Sequence, residues 1–179
     1  MTETKAVSSE TVFRGKILDV RRDGATLPDG RTATLEVVYS GDAAAVVALS
    51  SQREVFLINQ YRYVTGGMLL EIPAGKMEAG EKPLECARRE LEEETGYRAA
   101  DWRHLATFYT SPGFCTEKIH LFMAQELTRF SQNLDRDEFI EVEKMPLDKA
   151  LQMVGKGAID DAKTIVGLLT VRHILLEGP

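Results

Sequence analysis

Apolar and polar positions change period several times along this chain, and those changes mark out its elements. Residues 13–20 alternate as a strand does, Leu27-Pro28-Asp29-Gly30 is a turn signal, and residues 32–39 return as a second strand. Such a ribbon is too small to stand alone and must pack on something. Residues 43–49 and 54–61 are further strands, broken by Ser50-Ser51-Gln52, and 68–72 is a short strand leading into Pro73-Ala74-Gly75. Over 82–95 the period becomes helical: Leu84, Ala87 and Leu91 recur at i, i+3 and i+7 as a buried stripe. Pro83 suits the first turn of that helix and Gly96 the position just past its end. Residues 102–109 and 118–124 are expected as strands around the loop 110–117, residues 139–144 as a last strand and 147–154 as a short helix. Asp161 can cap a final helix over 162–176, with Ile165, Val166, Leu169 and Ile174 expected in the core. Residues 1–10 are expected to fray, and Phe13 to be a core residue. Mixed strands with three helices predict a layered α/β domain.

Composition narrows the function classes. A chain of 179 residues suits one domain with a small extension, and its 44% hydrophobic content is ample for a core. The net charge of −6, with no Lys/Arg-rich block, argues against nonspecific nucleic-acid binding. A nucleotide substrate stays compatible, because a divalent cation can supply the positive charge. The longest apolar stretches are of strand length and the first ten residues are polar, so neither a membrane span nor a signal peptide is expected, and the cytoplasm is the default address. Cys86 and Cys115 make neither a disulfide framework nor a zinc set, and Cys86 is expected to serve packing.

The candidate chemistry lies on the 82–95 helix. Glu90, Glu93 and Glu94 are spaced i, i+3 and i+4 and so share one side. Three carboxylates there repel one another unless a cation sits between them, and hard oxygen ligands select Mg²⁺ or Mn²⁺ over zinc. Such a site keeps waters and shares its metal with substrate phosphates, which points to metal-assisted attack on a diphosphate. A Glu-rich helix taken alone is ordinarily a solvated surface. The flanking Gly75, Glu81 and Gly96 reverse that reading. Together they complete G-x5-E-x7-R-E-U-x-E-E-x-G-U (U apolar) from Gly75 to Tyr97, a pattern that arises by chance on the order of once in 10^9 starting positions. All seven fixed identities match; Tyr97 is an aromatic where an aliphatic residue is usual. The segment resembles the Nudix box.

That resemblance implies an α/β/α sandwich with a mixed sheet, hydrolysing a nucleoside diphosphate linked to another moiety. Pro112, 15 residues beyond Tyr97, and the segments LPDG, QYR, LLEIPAGKMEAGE, FYTSPGF and LDRDEFIEV resemble the ADP-ribose pyrophosphatase branch, over roughly residues 12–175. It implies that the Ala74 carbonyl, Glu90 and Glu94 hold Mg²⁺ or Mn²⁺, with Glu93 a further ligand or water-positioning group. Arg89 would orient these glutamates, and Glu81 would support the box loop. The general base would lie in the acidic loop 135–138, at Glu138 ahead of Asp137. Arg62 would contact substrate phosphate, as a guanidinium fork suits. Pro112 and Gly113 would line the substrate, and Glu117 would contact the terminal ribose or brace a dimer. In the resembled branch the N-terminal ribbon, here residues 1–41, exchanges between the subunits of a homodimer, while 42–179 form the catalytic domain. The implied reaction converts ADP-ribose to AMP and ribose 5-phosphate. The alternatives are another nucleoside diphosphate sugar or a dinucleotide as substrate, or an ADP-ribose sensor without catalysis, against which the intact box argues.

Overall fold

Every residue of β4 (Ala43–Leu49) is buried, which requires cover on both faces of the strand. The computed structural model, which describes residues 6–134 and 139–177, supplies that cover. β4 runs antiparallel to β5 (Glu54–Arg62) and to the short β7 (Ala74–Lys76), and parallel to β9 (Lys118–Arg129). β5 also pairs antiparallel with β6 (Gly67–Glu71) and β10 (Ile140–Pro146), and β8 (Tyr97–Tyr109) flanks β9, giving a seven-stranded mixed sheet. Strand alternation sends Ala44, Val46 and Ala48 to one face, against Cys86, Ala87 and Leu91 of α1 (Pro83–Thr95). On the opposite face Val47 meets α3 (Ala162–Glu177) at Gly167, where an added Cβ would lie 2.7 Å from Val47 Cγ2. α2 (Leu147–Gly155) packs against α3 and β10. The expected helix–sheet–helix layering is therefore present.

The chain divides into two compact units: one runs to Asp42 and includes Phe108–Lys118, and the other is made of Ala43–Thr107 with the chain from Ile119 onward. In the first unit β1 (Ala6–Arg14), β2 (Asp19–Thr26) and β3 (Thr32–Tyr39) form a three-stranded antiparallel sheet. The turn at Leu27–Gly30 closes as expected, with the Gly30 N–H donating to Leu27 O at 2.9 Å.

Four expectations are corrected. Residues 13–20 are not one strand: the Gly15 N–H donates to Leu18 O at 2.8 Å, turning the chain between β1 and β2. Residues 6–10 do not fray but pair with β2, and Phe13 is 58% exposed rather than in the core, since all of β1 is an exposed strand. The buried face of α3 is Thr164, Gly167, Leu168 and Val171, whereas Leu169 is exposed. Two of those four buried positions are a threonine and a glycine, which apolar periodicity passes over.

Candidate active site

α1 begins with Pro83 at its first position and ends at Gly96, whose left-handed φ of 70° turns the chain while its N–H donates to Glu92 O at 2.8 Å. Between these ends the helix carries the box acids. Glu94 is 1% exposed and Glu90 7%. A buried carboxylate needs partners: Glu94 finds one on the backbone at Ala74, and Glu90 finds one in Arg89. Glu94 Oε2 accepts the Ala74 N–H at 2.8 Å. The Glu90 carboxylate lies directly over Gly75, leaving no space there for a Cβ. Glu93 is more open, with 37% of its side chain exposed.

Arg89 ties these acids together. Its Nε donates to Glu81 Oε1 at 2.9 Å, its Nη1 to Glu90 Oε1 at 2.6 Å and Glu93 Oε2 at 3.1 Å, and its Nη2 to Glu81 Oε2 and Lys76 O, each at 3.1 Å. The Glu81 hydrogen bond leads the forces that raise the Arg89 pKa, and burial opposes them. The same bond holds the Glu81 carboxyl below its ordinary value, and Glu81 in turn accepts the Glu78 N–H at 2.9 Å. Arg89 thus spends its fork inside the box, consistent with orienting the glutamates. Cys86 is fully buried beside it; burial first, then the charges of Glu81 and Glu90, push its thiol up to about 12, which leaves it no use as a nucleophile.

Arg62, the expected phosphate contact, ends β5 and donates from Nε to Glu71 Oε1 at 2.7 Å. Burial works against its charge, but the hydrogen bond and charge of Glu71, with the charges of Glu94 and Asp161, outweigh it and raise the guanidinium pKa. Glu71 is 1% exposed and also accepts from Lys163 Nζ, which pairs with Asp161 Oδ1 at 3.1 Å. Neither Glu71 nor Lys163 is among the residues that the sequence marks as functional. The signal for Glu71 is a carboxylate inside the apolar run Leu69-Leu70-Glu71-Ile72, since such a group is buried only with a partner.

Glu138 and Asp137 lie outside the described residues. The chain on either side is anchored: Gln132 Nε2 donates to Glu94 O at 2.6 Å, the Asn133 N–H to Glu93 O at 3.0 Å, and the Tyr61 N–H to Phe139 O at 3.1 Å. Pro112, Gly113 and Glu117 belong to the first compact unit. Pro112 and Gly113 line a cleft of about 810 Å³ with residues 34–37 of β3, Tyr109 and Phe114. Glu117 is not among its lining residues, and its carbonyl accepts the Thr110 N–H at 3.2 Å. The structure therefore brings together Ala74, Arg89, Glu90, Glu93 and Glu94, ties Arg62 to Glu71 rather than to these acids, and holds the Pro112 loop with the N-terminal sheet. His104 Nε2 and His120 Nδ1 each bond Thr107 Oγ1 at 3.0 Å, so both have structural partners.

Among the described residues no three His, Cys, Asp or Glu side chains form a closed metal cage. The donors nevertheless fit a hard divalent ion. Magnesium sites use one or two carboxylates with waters and substrate phosphates rather than an all-protein cage. Glu90 and Glu94, set against the Ala74–Gly75 backbone, provide that oxygen set without sulfur or imidazole.

Comparison with known proteins places these features in a family. The NUDIX domain matches residues 40–166, and the nucleoside diphosphate sugar hydrolase N-terminal domain matches residues 5–38. A Bacillus subtilis (strain 168) protein named ADP-ribose pyrophosphatase is 41% identical over 164 residues, covering 90% of this chain and 89% of its own. A Bacillus methanolicus protein named methanol dehydrogenase activator is 39% identical over 168 residues, covering 93% and 91%. A solved structure described as an ADP compounds hydrolase superposes with a TM-score of 0.84 over 97% of this chain and 94% of that one; at 24% identity it speaks for the fold. The domain match spans β7 and the box helix, the elements that build the acidic site, and the chain belongs to the Nudix family.

Proposed function

We propose that this protein hydrolyses the diphosphate of ADP-ribose, giving AMP and ribose 5-phosphate. The observation that carries the reading is the pair of buried carboxylates beside the Ala74–Gly75 backbone: Glu94 bonded to the Ala74 N–H, and Glu90 packed over Gly75 and bonded by Arg89. The relative named ADP-ribose pyrophosphatase, aligned over 90% of the chain, supports this choice of substrate. Nudix hydrolases generally need a divalent metal; here Mg²⁺, or Mn²⁺ in its place, would be held by the Ala74 carbonyl, Glu90 and Glu94 with Glu93 beside them. When bound it supplies charge neutralisation for the diphosphate and a more acidic water.

The chain's own residues do the rest. Arg89 keeps Glu90 and Glu93 in place through its fork. Arg62, anchored at Nε by Glu71 and with 37% of its side chain exposed, orients the phosphates through its Nη edge. Glu138, or Asp137 in its place, accepts the proton of the attacking water, on the strength of the resemblance of the 135–138 segment to the ADP-ribose pyrophosphatase branch. Water adds to one phosphorus and the other phosphate leaves, with no covalent enzyme intermediate. Pro112 and Gly113, with Glu117 at the loop's end, form part of the substrate site. Residues 1–41 are read as a dimerisation element of a homodimer and 42–179 as the catalytic domain; a monomeric mass by light scattering would count against the dimer. A cytoplasmic address fits the two free thiols.

The test is product analysis with ADP-ribose and a panel of other nucleoside diphosphate derivatives, with Mg²⁺ or with chelator. Metal-dependent AMP and ribose 5-phosphate, fastest from ADP-ribose, is the expected result. Faster cleavage of another nucleoside diphosphate sugar, the substrate class in the description of the matched N-terminal domain, would overturn the substrate. Binding without cleavage of any compound would overturn the enzyme.

A further inference from the structure

The first turn of α3 reaches the strand that leads into the Ala74 turn, and it does so at two consecutive residues. Lys163 Nζ donates to the buried Glu71 carboxylate, and Thr164 Oγ1 accepts the Ile72 N–H at 2.8 Å. Asp161 fixes the turn that makes both contacts: its Oδ2 accepts the Thr164 N–H at 2.9 Å and the Thr164 hydroxyl at 2.5 Å, and its Oδ1 meets Lys163 Nζ at 3.1 Å. The Thr164 hydroxyl proton goes to Asp161, so its oxygen lone pair is left to receive Ile72. Ile72 and Thr164 are both fully buried, and water has no access to replace that bond. Two residues further on, the Ala74 N–H is held from α1 by Glu94. The segment from Glu71 to Ala74 is therefore clamped from both helices, by contacts 92 residues away in sequence on one side and 20 on the other.

We infer that Thr164 and Lys163 are positioning residues for the metal-facing carbonyl of Ala74 and for the phosphate-facing Arg62. The inference rests on the proposed metal site at Ala74, Glu90 and Glu94. Thr164 fixes the height of the backbone two residues before the carbonyl. Lys163 fixes the Glu71 carboxylate, which in turn holds Arg62 Nε at 2.7 Å. Groups of this kind, which touch a ligand's neighbour rather than the metal, change metal affinity by about 10–100-fold when removed.

The experiment measures Mn²⁺ binding to the substrate-free protein by electron paramagnetic resonance, alongside kcat and KM, for Thr164→Val, Thr164→Ser, Lys163→Met and Glu94→Gln. Thr164→Val should weaken Mn²⁺ binding by about tenfold and lower kcat, and Thr164→Ser, which keeps the hydroxyl, should restore both. Lys163→Met should raise the KM for the diphosphate substrate, and it carries the test if Thr164→Val does not fold. Loss of Mn²⁺ by Glu94→Gln, with unaltered Mn²⁺ binding and kinetics in Thr164→Val and Lys163→Met, overturns the positioning role and leaves the metal reading standing. Full Mn²⁺ binding by Glu94→Gln removes the metal reading, and the positioning role falls with it.

Discussion

Replacing Gly75 by alanine adds one methyl group where the box loop meets Glu90. The backbone there is not left-handed, so alanine is conformationally acceptable, and the objection to it is purely one of space. Its Cβ would fall well inside 3.0 Å of Oε1, Cδ and Oε2 of Glu90, closer than real Cβ atoms come to any neighbour. The carboxylate must retreat by about 1 Å, and a displacement of that size at a reacting centre costs about a hundredfold in rate. That corresponds to about 2.7 kcal/mol of barrier. Folding should barely notice. The clash is with the far end of a side chain, and alanine lowers the entropy of the unfolded chain, worth about 0.4–1 kcal/mol in the opposite sense. G75A should therefore fold with a Tm within about 3 °C of the parent while losing about 99% of kcat on ADP-ribose. Gly155, where an added methyl would meet nothing within 4 Å, is the control: G155A should retain full activity. Calorimetry and steady-state kinetics on the pair decide the matter. A G75A enzyme within twofold of the parent in kcat would refute the claim that the placement of Glu90 limits the reaction.

Other consequences separate stability from chemistry. G96A combines a left-handed φ of 70° with a Cβ 2.9 Å from the Gln132 backbone nitrogen; it should cost about 1–2 kcal/mol or more and lower the Tm measurably by calorimetry. Native protein treated with a disulfide-exchange reagent at pH 8 should show at most one reactive thiol, Cys115, with Cys86 reacting only after unfolding, because its thiol is pushed up to about 12. R89M should lose stability at pH 7. Glu81 has a folded pKa below its ordinary 4.5, so the stability that Arg89 lends through it is full above that value and fades as pH falls through the folded pKa. The gap between parent and R89M in urea unfolding should therefore narrow from pH 7 towards pH 3, and a gap that widened on acidification would contradict the pairing.

Local signals make much of this molecule legible. The box helix is bounded by Pro83 and Gly96, β4 by its apolar run, and the cap of α3 by Asp161, each through chemistry carried within a few residues. Legibility ends where a local signal is overrun or where none exists. Apolar residues recurring at Phe13, Ile17, Leu18 and Val20 read as one strand and hide the turn at Gly15. The inward face of α3 contains Thr164 and Gly167 because one must accept a backbone hydrogen bond and the other must admit Val47, and neither need shows as hydrophobicity. The Glu71–Lys163 pair joins residues 92 positions apart. Only the folded chain reveals it, although the lone acid in an apolar strand announces that a partner is needed.

The box helix is also an electrical object. Its aligned peptides leave partial negative charge at the C-terminal end, where acids are unfavourable by about 0.3–1 kcal/mol each. α1 nevertheless places Glu92, Glu93 and Glu94 in its last turn, with no basic residue there. Glu92 is relieved by a neighbouring strand, through both nitrogens of the Arg98 fork at 2.6 Å. Glu93 is relieved by Arg89 Nη1 at 3.1 Å, and the carbonyls of Glu92, Glu93 and Glu94 accept from Gly96, Asn133 and Gln132, so the surplus negative charge is gathered at the buried Glu94 carboxylate, beside the proposed metal site. A stabilisation campaign that follows the usual rule of basic residues at helix C-termini would gain its first increments here, and in doing so would place positive charge beside the carboxylates of the proposed metal site.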